Sequence, residues 1–226
     1  GLRAGADLCP LLNVGWCGRA PWDNRAMPLV PDPQCPGAFR VVVGGASQSW
    51  VDPARPDHLI FEYVIQISLL FEHGLADVDP AERIRVIHIG GAGLSIPRWI
   101  AWRRPGTAQI VCEPDVGLTE EVRRKLPLQP RSGIKVRDID GRSGVAIMPP
   151  HYADLVVLDS FDGARVPGGL VTAEFLDELV NLGRGRRMVI FNVTDSSPFR
   201  WTRRLAAGLA ERWRHLLVGT ESAVWK

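Results

Sequence analysis

Four places in this chain carry groups that could cradle and act on a cationic nucleoside: a glycine turn at Gly90, Gly91 and Gly93, then the acids Glu113, Asp140 and Asp159. The glycines let a ligand approach the backbone, and an acid about 20 residues later can accept hydrogen bonds from ribose hydroxyls. Asp140, in the turn DIDGR, can accept from an exocyclic adenine amine. Asp138 competes for that role, and Gly141 favours Asp140 by giving its loop freedom. Asp159 and Asp162, in DSFDG, would face the reactive end of the ligand, where carboxylates suit a sulfonium or an ammonium group. No GxxxxGK[ST] segment is present, so no P-loop lysine holds a polyphosphate. Taken singly, each acid could be an ordinary helix N-cap and the glycines an ordinary turn. Together, in register, they point to one ligand edge.

That register comes from the elements that must carry them. Residues 84–113 read as a β-turn-α-β unit, and from 84 onward apolar runs alternate with helical patterns. Strands are expected at 84–89, 108–113, 134–137, 154–158, 187–193 and 215–219, and helices at 95–103, 117–125, 172–182 and 198–213. Such alternation gives a parallel sheet covered on both faces, with ligands beyond the carboxyl ends of its strands. The glycine turn and the three acids all follow strand ends. Upstream, FRVVVGGASQSW (39–50) reads as a hairpin turning at Gly44-Gly45. Residues 57–73 read as a helix capped by Asp57, with Leu59, Ile60, Tyr63, Ile67 and Leu70 at helical spacing. The expected organisation is an irregular arm (1–27), a small β hairpin region (28–56), a connecting helix (57–83) and a Rossmann-like nucleoside-binding domain (84–226).

The 226 residues suffice for one sizeable domain with an appendage, and 46% hydrophobic with 23% charged residues is ordinary for a globular protein. A net charge of +2 gives no field arguing for nucleic acid. No apolar run reaches the roughly 18 residues of a membrane span. Asp7 and Cys9-Pro10 interrupt the apolar patch near the start, so no signal peptide is read, and a cytoplasmic, reduced setting is the default. The four cysteines lack CxxC spacing, which argues against a metal; a disulfide among the first 35 residues is left open, without support from the pattern.

Residues 28–225 resemble the spermidine synthase (polyamine aminopropyltransferase) family, especially its actinobacterial spermidine synthase-like members. The segments that carry the resemblance are LVPDPQCPGAFRVVVGGASQSWVDPARPDHLIFEY, VIHIGGAGLSIPRW, CEPD, DIDGR and LVVLDSFDGARVPGGLVTAEFL. The resemblance implies an α/β, Rossmann-like, S-adenosylmethionine-dependent methyltransferase-type fold with a small N-terminal β region. It implies decarboxylated S-adenosylmethionine as co-substrate, a small-molecule diamine as acceptor, no metal and a homodimer. By the same resemblance Gln48 would contact the aminopropyl end, Glu113 the ribose and Asp140 the adenine. Asp159 would be the catalytic base, Tyr63 and Asp162 would line the amine pocket, and residues 160–169 would gate the site.

The chain departs from the family pattern in its amine half. The family turn usually reads G-G-G-D-G-G, whereas here Gly93 stands in place of the acid. Tyr63 is followed by apolar Val64 and Ile65 where the family often has Gln-Glu. The expected function is therefore aminopropyl transfer to an atypical, more hydrophobic acceptor. The alternatives are an S-adenosylmethionine-dependent methyltransferase and a non-catalytic nucleoside-binding homologue.

Overall fold

The structure, a computed structural model, describes residues 29–43, 46–162 and 165–219. Strands β1 (Leu29–Pro31), β2 (Phe39–Val43) and β3 (Ala46–Val51) form a small antiparallel sheet. Strands β4 (Arg85–Ile89), β5 (Ala108–Cys112), β6 (Ile134–Arg137), β7 (Ala153–Leu158) and β8 (Gly183–Phe191) form a parallel sheet in the order β6-β5-β4-β7-β8. The helices are α1 (Glu62–Gly74), α2 (Ser95–Arg103), α3 (Val116–Lys125), α4 (Gly141–Ala146), α5 (Ala173–Leu182) and α6 (Arg200–Ala210). This is the expected α/β class with its small N-terminal β region. The strand order reverses between β4 and β7, so the carboxyl ends of these two strands flank the crevice where such sheets take ligands.

Alternation along the buried strands divides the core. Ile87 and Ile89 of β4, with Val156 and Leu158 of β7, pack against Phe175, Leu176 and Leu179 of α5 and Leu205 and Leu209 of α6. Val86, Leu155 and Val157 face the other way, onto Val64, Ile67 and Phe71 of α1 and Ile96, Trp99 and Ile100 of α2. There Phe71 and Trp99 meet edge to face with centroids 5.4 Å apart. Leu29, Val41 and Val51 of the small sheet close a further cluster with Leu94, Val111 and the α3 residues Leu118 and Val122. The small sheet is thus fastened to the glycine loop by apolar packing.

Several expected elements shift. Helix α2 spans the expected 95–103, and Pro97 is tolerated because the first-turn N–H it lacks has no intrahelical acceptor. Helix α1 begins at Glu62, behind Phe61, so Asp57 is not its cap. Residues 52–61 turn instead around Asp52, whose carboxylate accepts from the N–H groups of Ala54 and Arg55 and from Arg55 Nε. Phe61 is extended, and Ile60 and Phe61 pack on the cluster of Cys35, Ala38 and Trp50, a tertiary demand that overrides the helical spacing. Strand β8 starts at Gly183, four residues early, directly after α5. Residues 215–219 join no strand, and Leu216, Leu217 and Val218 are exposed. Helix α4 was not expected at all. The Gly44-Gly45 turn, residues 1–27 and residues 163–164 of the gate lie outside the described residues. Cys35 is disulfide-bonded, a pairing the sequence pattern left open, while Cys112 is a buried free thiol. No helix among the described residues is long and apolar enough to cross a membrane.

Candidate functional site

The strand ends deliver the expected groups in spatial order across the sheet: Asp140 after β6, Glu113 after β5, the glycine turn after β4, Asp159 after β7. A small cleft at the β4–β7 reversal is lined by Gln48 and Ser49 of β3, Tyr63 of α1, His88, Gly90, Gly91, Ala92, Ser95, Ile96, Pro97, Val157 and Asp159. Four of the expected residues converge there with Asp159: Gln48, Tyr63, Gly90 and Gly91. The Tyr63 hydroxyl donates to the Gln48 carbonyl at 3.0 Å, which ties α1 to the hairpin across the cleft mouth.

The glycine turn is built by close approach. A Cβ on Gly90, whose φ is +87°, would stand 2.2 Å from the Asp159 carbonyl oxygen, and one on Gly91 would stand 2.6 Å from Val111 Cγ1. Glu113 clamps the turn: Oε2 accepts from the N–H of Gly91 at 3.0 Å and of Ala92 at 3.3 Å, and Oε1 accepts from Asp115 N at 3.0 Å. Each oxygen keeps lone-pair capacity for a ribose hydroxyl. Ala92 and Leu94 hold left-handed conformations, at φ 38° and 63°, costing about 1–2 kcal/mol each. Burial of Leu94 among Val41, Val51 and Val111 offsets part of that cost. Ser95 completes the dock by donating to the Trp50 carbonyl at 3.0 Å, and the Ser49 and Ser95 hydroxyls are hydrogen-bonded to each other.

Gly93 explains its own departure from the family pattern. A Cβ there would meet Val41 Cγ2 and Val51 Cγ2 at 2.8 Å and Ser49 Oγ at 2.9 Å. The small sheet occupies the space an acid at 93 would need.

Asp159 is the most perturbed acid of the cleft. Burial pushes its carboxyl up to about 6, against the lowering effect of a hydrogen bond from Asn192 Nδ2 at 2.8 Å. Its charge adds to burial in raising the Tyr63 hydroxyl well above the ordinary value, so that phenol stays neutral. Asn192 lies just past β8 and was missed by sequence reasoning; a polar residue closing the apolar run MVIF was the available signal. His88 was also missed. It is 2% exposed, its Nε2 lies 2.9 Å from Gln109 Oε1, and burial lowers it to about 4.

The remaining expected residues lie outside the cleft. Asp140 is exposed and caps α4, its Oδ1 accepting from Ser143 N at 3.0 Å; hydrogen bonds from Ser143 hold its carboxyl below the ordinary range. Gly141 supplies close approach and not loop freedom, since a Cβ there would stand 2.2 Å from Ile89 Cγ2. Gly144 similarly approaches Cys112, so α4 lies down on the ends of β4 and β5 and carries Asp140 to the ligand edge. Asp162 is exposed in the loop after β7, where its backbone pairs with Arg165, and it does not join Tyr63. Among the described residues no group of three His, Cys, Asp or Glu side chains is placed to hold a metal ion.

No family model matches the chain. A polyamine aminopropyltransferase of Vibrio vulnificus is 29% identical over 118 residues, which span 51% of this chain and 39% of that protein. A probable spermidine synthase of Corynebacterium glutamicum superposes with a TM-score of 0.77 at 24% identity, covering 83% of this chain and 67% of that one. A spermidine synthase in complex with the transition-state analogue AdoDATO gives 0.57 at 19% identity, over 83% and 61% of the two chains. Human methyltransferase-like protein 13 in complex with SAH gives 0.60 at 17% identity, over 73% and 79%. The fold is spermidine synthase-like and of the methyltransferase type.

Proposed function

We propose, starting from a chain that is spermidine synthase-like in fold, that it is an aminopropyltransferase that moves the aminopropyl group of decarboxylated S-adenosylmethionine to a small amine. The observation that carries this reading is Asp159: a carboxyl held near pKa 6 at the end of β7, against the glycine turn and in a cleft roofed by Tyr63 and Gln48. An ammonium is no nucleophile, so a base must take its proton while the nitrogen points at the carbon beside the sulfonium. The nitrogen then forms a bond to that carbon, the carbon–sulfur bond breaks, and methylthioadenosine leaves with the electron pair. The amine proton passes to Asp159. Glu113 is assigned the ribose, Asp140 the adenine, and Gln48 with the backbone at Gly90, Gly91 and Gly93 the sulfonium end. Asp162 and Tyr63 are assigned to the amine side, Asp162 through the loop that follows β7. The main demand is to hold two cations in line, and the carboxylates of Asp159 and Glu113 offset their repulsion.

The same cradle suits S-adenosylmethionine, and the SAH-bound neighbour shares the fold, so methyl transfer is the competing reading. Incubation with either S-adenosylmethionine or its decarboxylated form and a panel of amines separates the two by product mass. An aminopropylated amine with released methylthioadenosine is expected. Methylated product sinks the aminopropyltransferase assignment, and no product with a clear melting shift by methylthioadenosine marks a binding homologue.

A further inference from the structure

We propose, resting on the assignment of Asp140 to the adenine, that Arg142 is a positioning residue of the nucleoside site. It holds α4 so that the Asp140 carboxylate tells the amine of a 6-aminopurine from the carbonyl oxygen of a 6-oxopurine.

Helix α4 needs such a hold. Its six residues are too few to persist on helix propensity alone. Asp140 is its N-cap, so the direction of that carboxylate follows the placement of the helix. The close approach of Gly141 to Ile89 and of Gly144 to Cys112 sets how deep α4 lies on the sheet. Val145 adds burial in the core beside Leu170. Apolar burial is non-directional, however, and forms no bond that fixes the helix end.

Arg142 supplies the directional bonds. Its Nη1 donates to the Gly169 carbonyl at 2.8 Å and to Thr172 Oγ1 at 3.4 Å, and its Nη2 donates to Glu178 Oε1 at 3.2 Å. Its guanidinium carbon stands 5.8 Å from the centroid of the Phe175 ring, which is fully buried. These partners are themselves held. Leu170 N donates to the Pro167 carbonyl at 2.9 Å, Thr172 Oγ1 caps α5 by accepting from Phe175 N at 3.2 Å, and Glu178 lies within α5. A planar guanidinium bonded to three such residues has a fixed orientation, and it passes that orientation to α4.

Helix stability does not account for this arginine. A cation in the first turn opposes the helix dipole. The Arg142 and Glu178 side chains are 41% and 36% exposed, so their ion pair contributes little by itself. What the contacts fix is place. Two residues before Arg142, Asp140 is held in its charged form by hydrogen bonds from Ser143. An anion there attracts an amine and repels a carbonyl oxygen, provided that it is aimed.

The test compares, by calorimetry, methylthioadenosine with methylthioinosine, in which the 6-amine is replaced by a carbonyl oxygen. Wild type should favour methylthioadenosine by at least about tenfold, and Asp140→Ala should bring the ratio close to one. Arg142→Ala should cut the ratio to about threefold or less, and Arg142→Lys, which keeps the charge without the fork, should fall between. In the Asp140→Ala background, Arg142→Ala should change the ratio no further. An arginine that serves stability alone would weaken both ligands alike, so an unchanged ratio in Arg142→Ala overturns the inference. If that variant does not fold, Arg142→Lys decides, and a wild-type ratio there overturns it. A wild-type protein that binds both ligands equally, or an Asp140→Ala variant that keeps the preference, removes the adenine assignment of Asp140 and the role of Arg142 with it. Binding of neither ligand by wild type sinks the nucleoside reading itself.

Discussion

Asn192 Nδ2 donates to Asp159 Oδ1 at 2.8 Å, joining the chain just past β8 to the chain just past β7. The backbone repeats the link: Asn192 N donates to the Leu158 carbonyl at 2.8 Å, and Asp159 N to the Ile89 carbonyl at 2.9 Å. Three strands thereby fix one carboxylate. One of its oxygens is engaged by the amide, which leaves the other to take a proton from an amine. The hydrogen bond favours the charged form while burial disfavours it, and burial wins.

Asp159→Asn should lower transfer by roughly 10²–10⁴-fold, the range for loss of a positioned base. The melting shift caused by methylthioadenosine should persist, since Glu113 and Asp140 are untouched. An Asn variant with near wild-type turnover would remove the base assignment.

The same variant should gain stability in a defined pH window. The folded carboxyl titrates near 6 against an ordinary 3.8, so the folded state binds its proton more tightly than the unfolded chain. Its contribution to stability is whole below about pH 4 and is lost as pH rises through about 6. Asp159→Asn should therefore match wild type in acid and exceed it by on the order of 1–3 kcal/mol at pH 7. Denaturant melts at pH 4 and pH 7 check the sign, and a variant less stable at pH 7 contradicts it.

The rate should follow the same group. Transfer should fall as pH drops below an inflection near 6, where Asp159 takes its proton. Asn192→Leu removes the contact that favours the charged form, so the inflection should move to higher pH. A profile unchanged in that variant would leave Asn192 with no part in tuning the base.

Gly93→Asp should not rebuild a diamine site. Its Cβ would collide with Val41, Val51 and Ser49, so the hairpin must shift at a cost of about 1–3 kcal/mol. Loss of melting temperature without gain in diamine turnover is expected. A stable variant with raised turnover on 1,4-diaminobutane would show that the small sheet yields.

Glu113→Gln should loosen the glycine turn as well as the nucleoside. A neutral amide oxygen accepts more weakly from Gly91 and Ala92, and the NH2 replaces an acceptor opposite Asp115 N–H. Methylthioadenosine affinity should fall at least about tenfold by calorimetry, with roughly 1–3 kcal/mol of stability lost. Unchanged affinity would separate Glu113 from the ligand.

The parallel sheet and its ligand edge were legible because apolar runs of strand length carry their own ends with them, and an acid or glycine at each end needs no tertiary information to be placed. Helix α4 was hidden because GRSGVA reads as a turn; it is helical because Gly141 and Gly144 permit contact with Ile89 and Cys112. The expected cap at Asp57 failed for a related reason, since Ile60 and Phe61 are taken by Trp50 before a helix can start.

The sequence by itself determined the fold class, the strand ends that carry Gly90, Glu113, Asp140 and Asp159, and the family likeness of their spacing. Those are local properties of periodicity and chain order. Only the tertiary structure decided what surrounds each group. It placed Asn192 on Asp159 and paired the buried His88 ring with Gln109. It also filled the space beside Gly93 with Val41 and Val51. Each depends on side chains distant in sequence meeting at close range, and it is burial and pairing at that range that set charge and proton position.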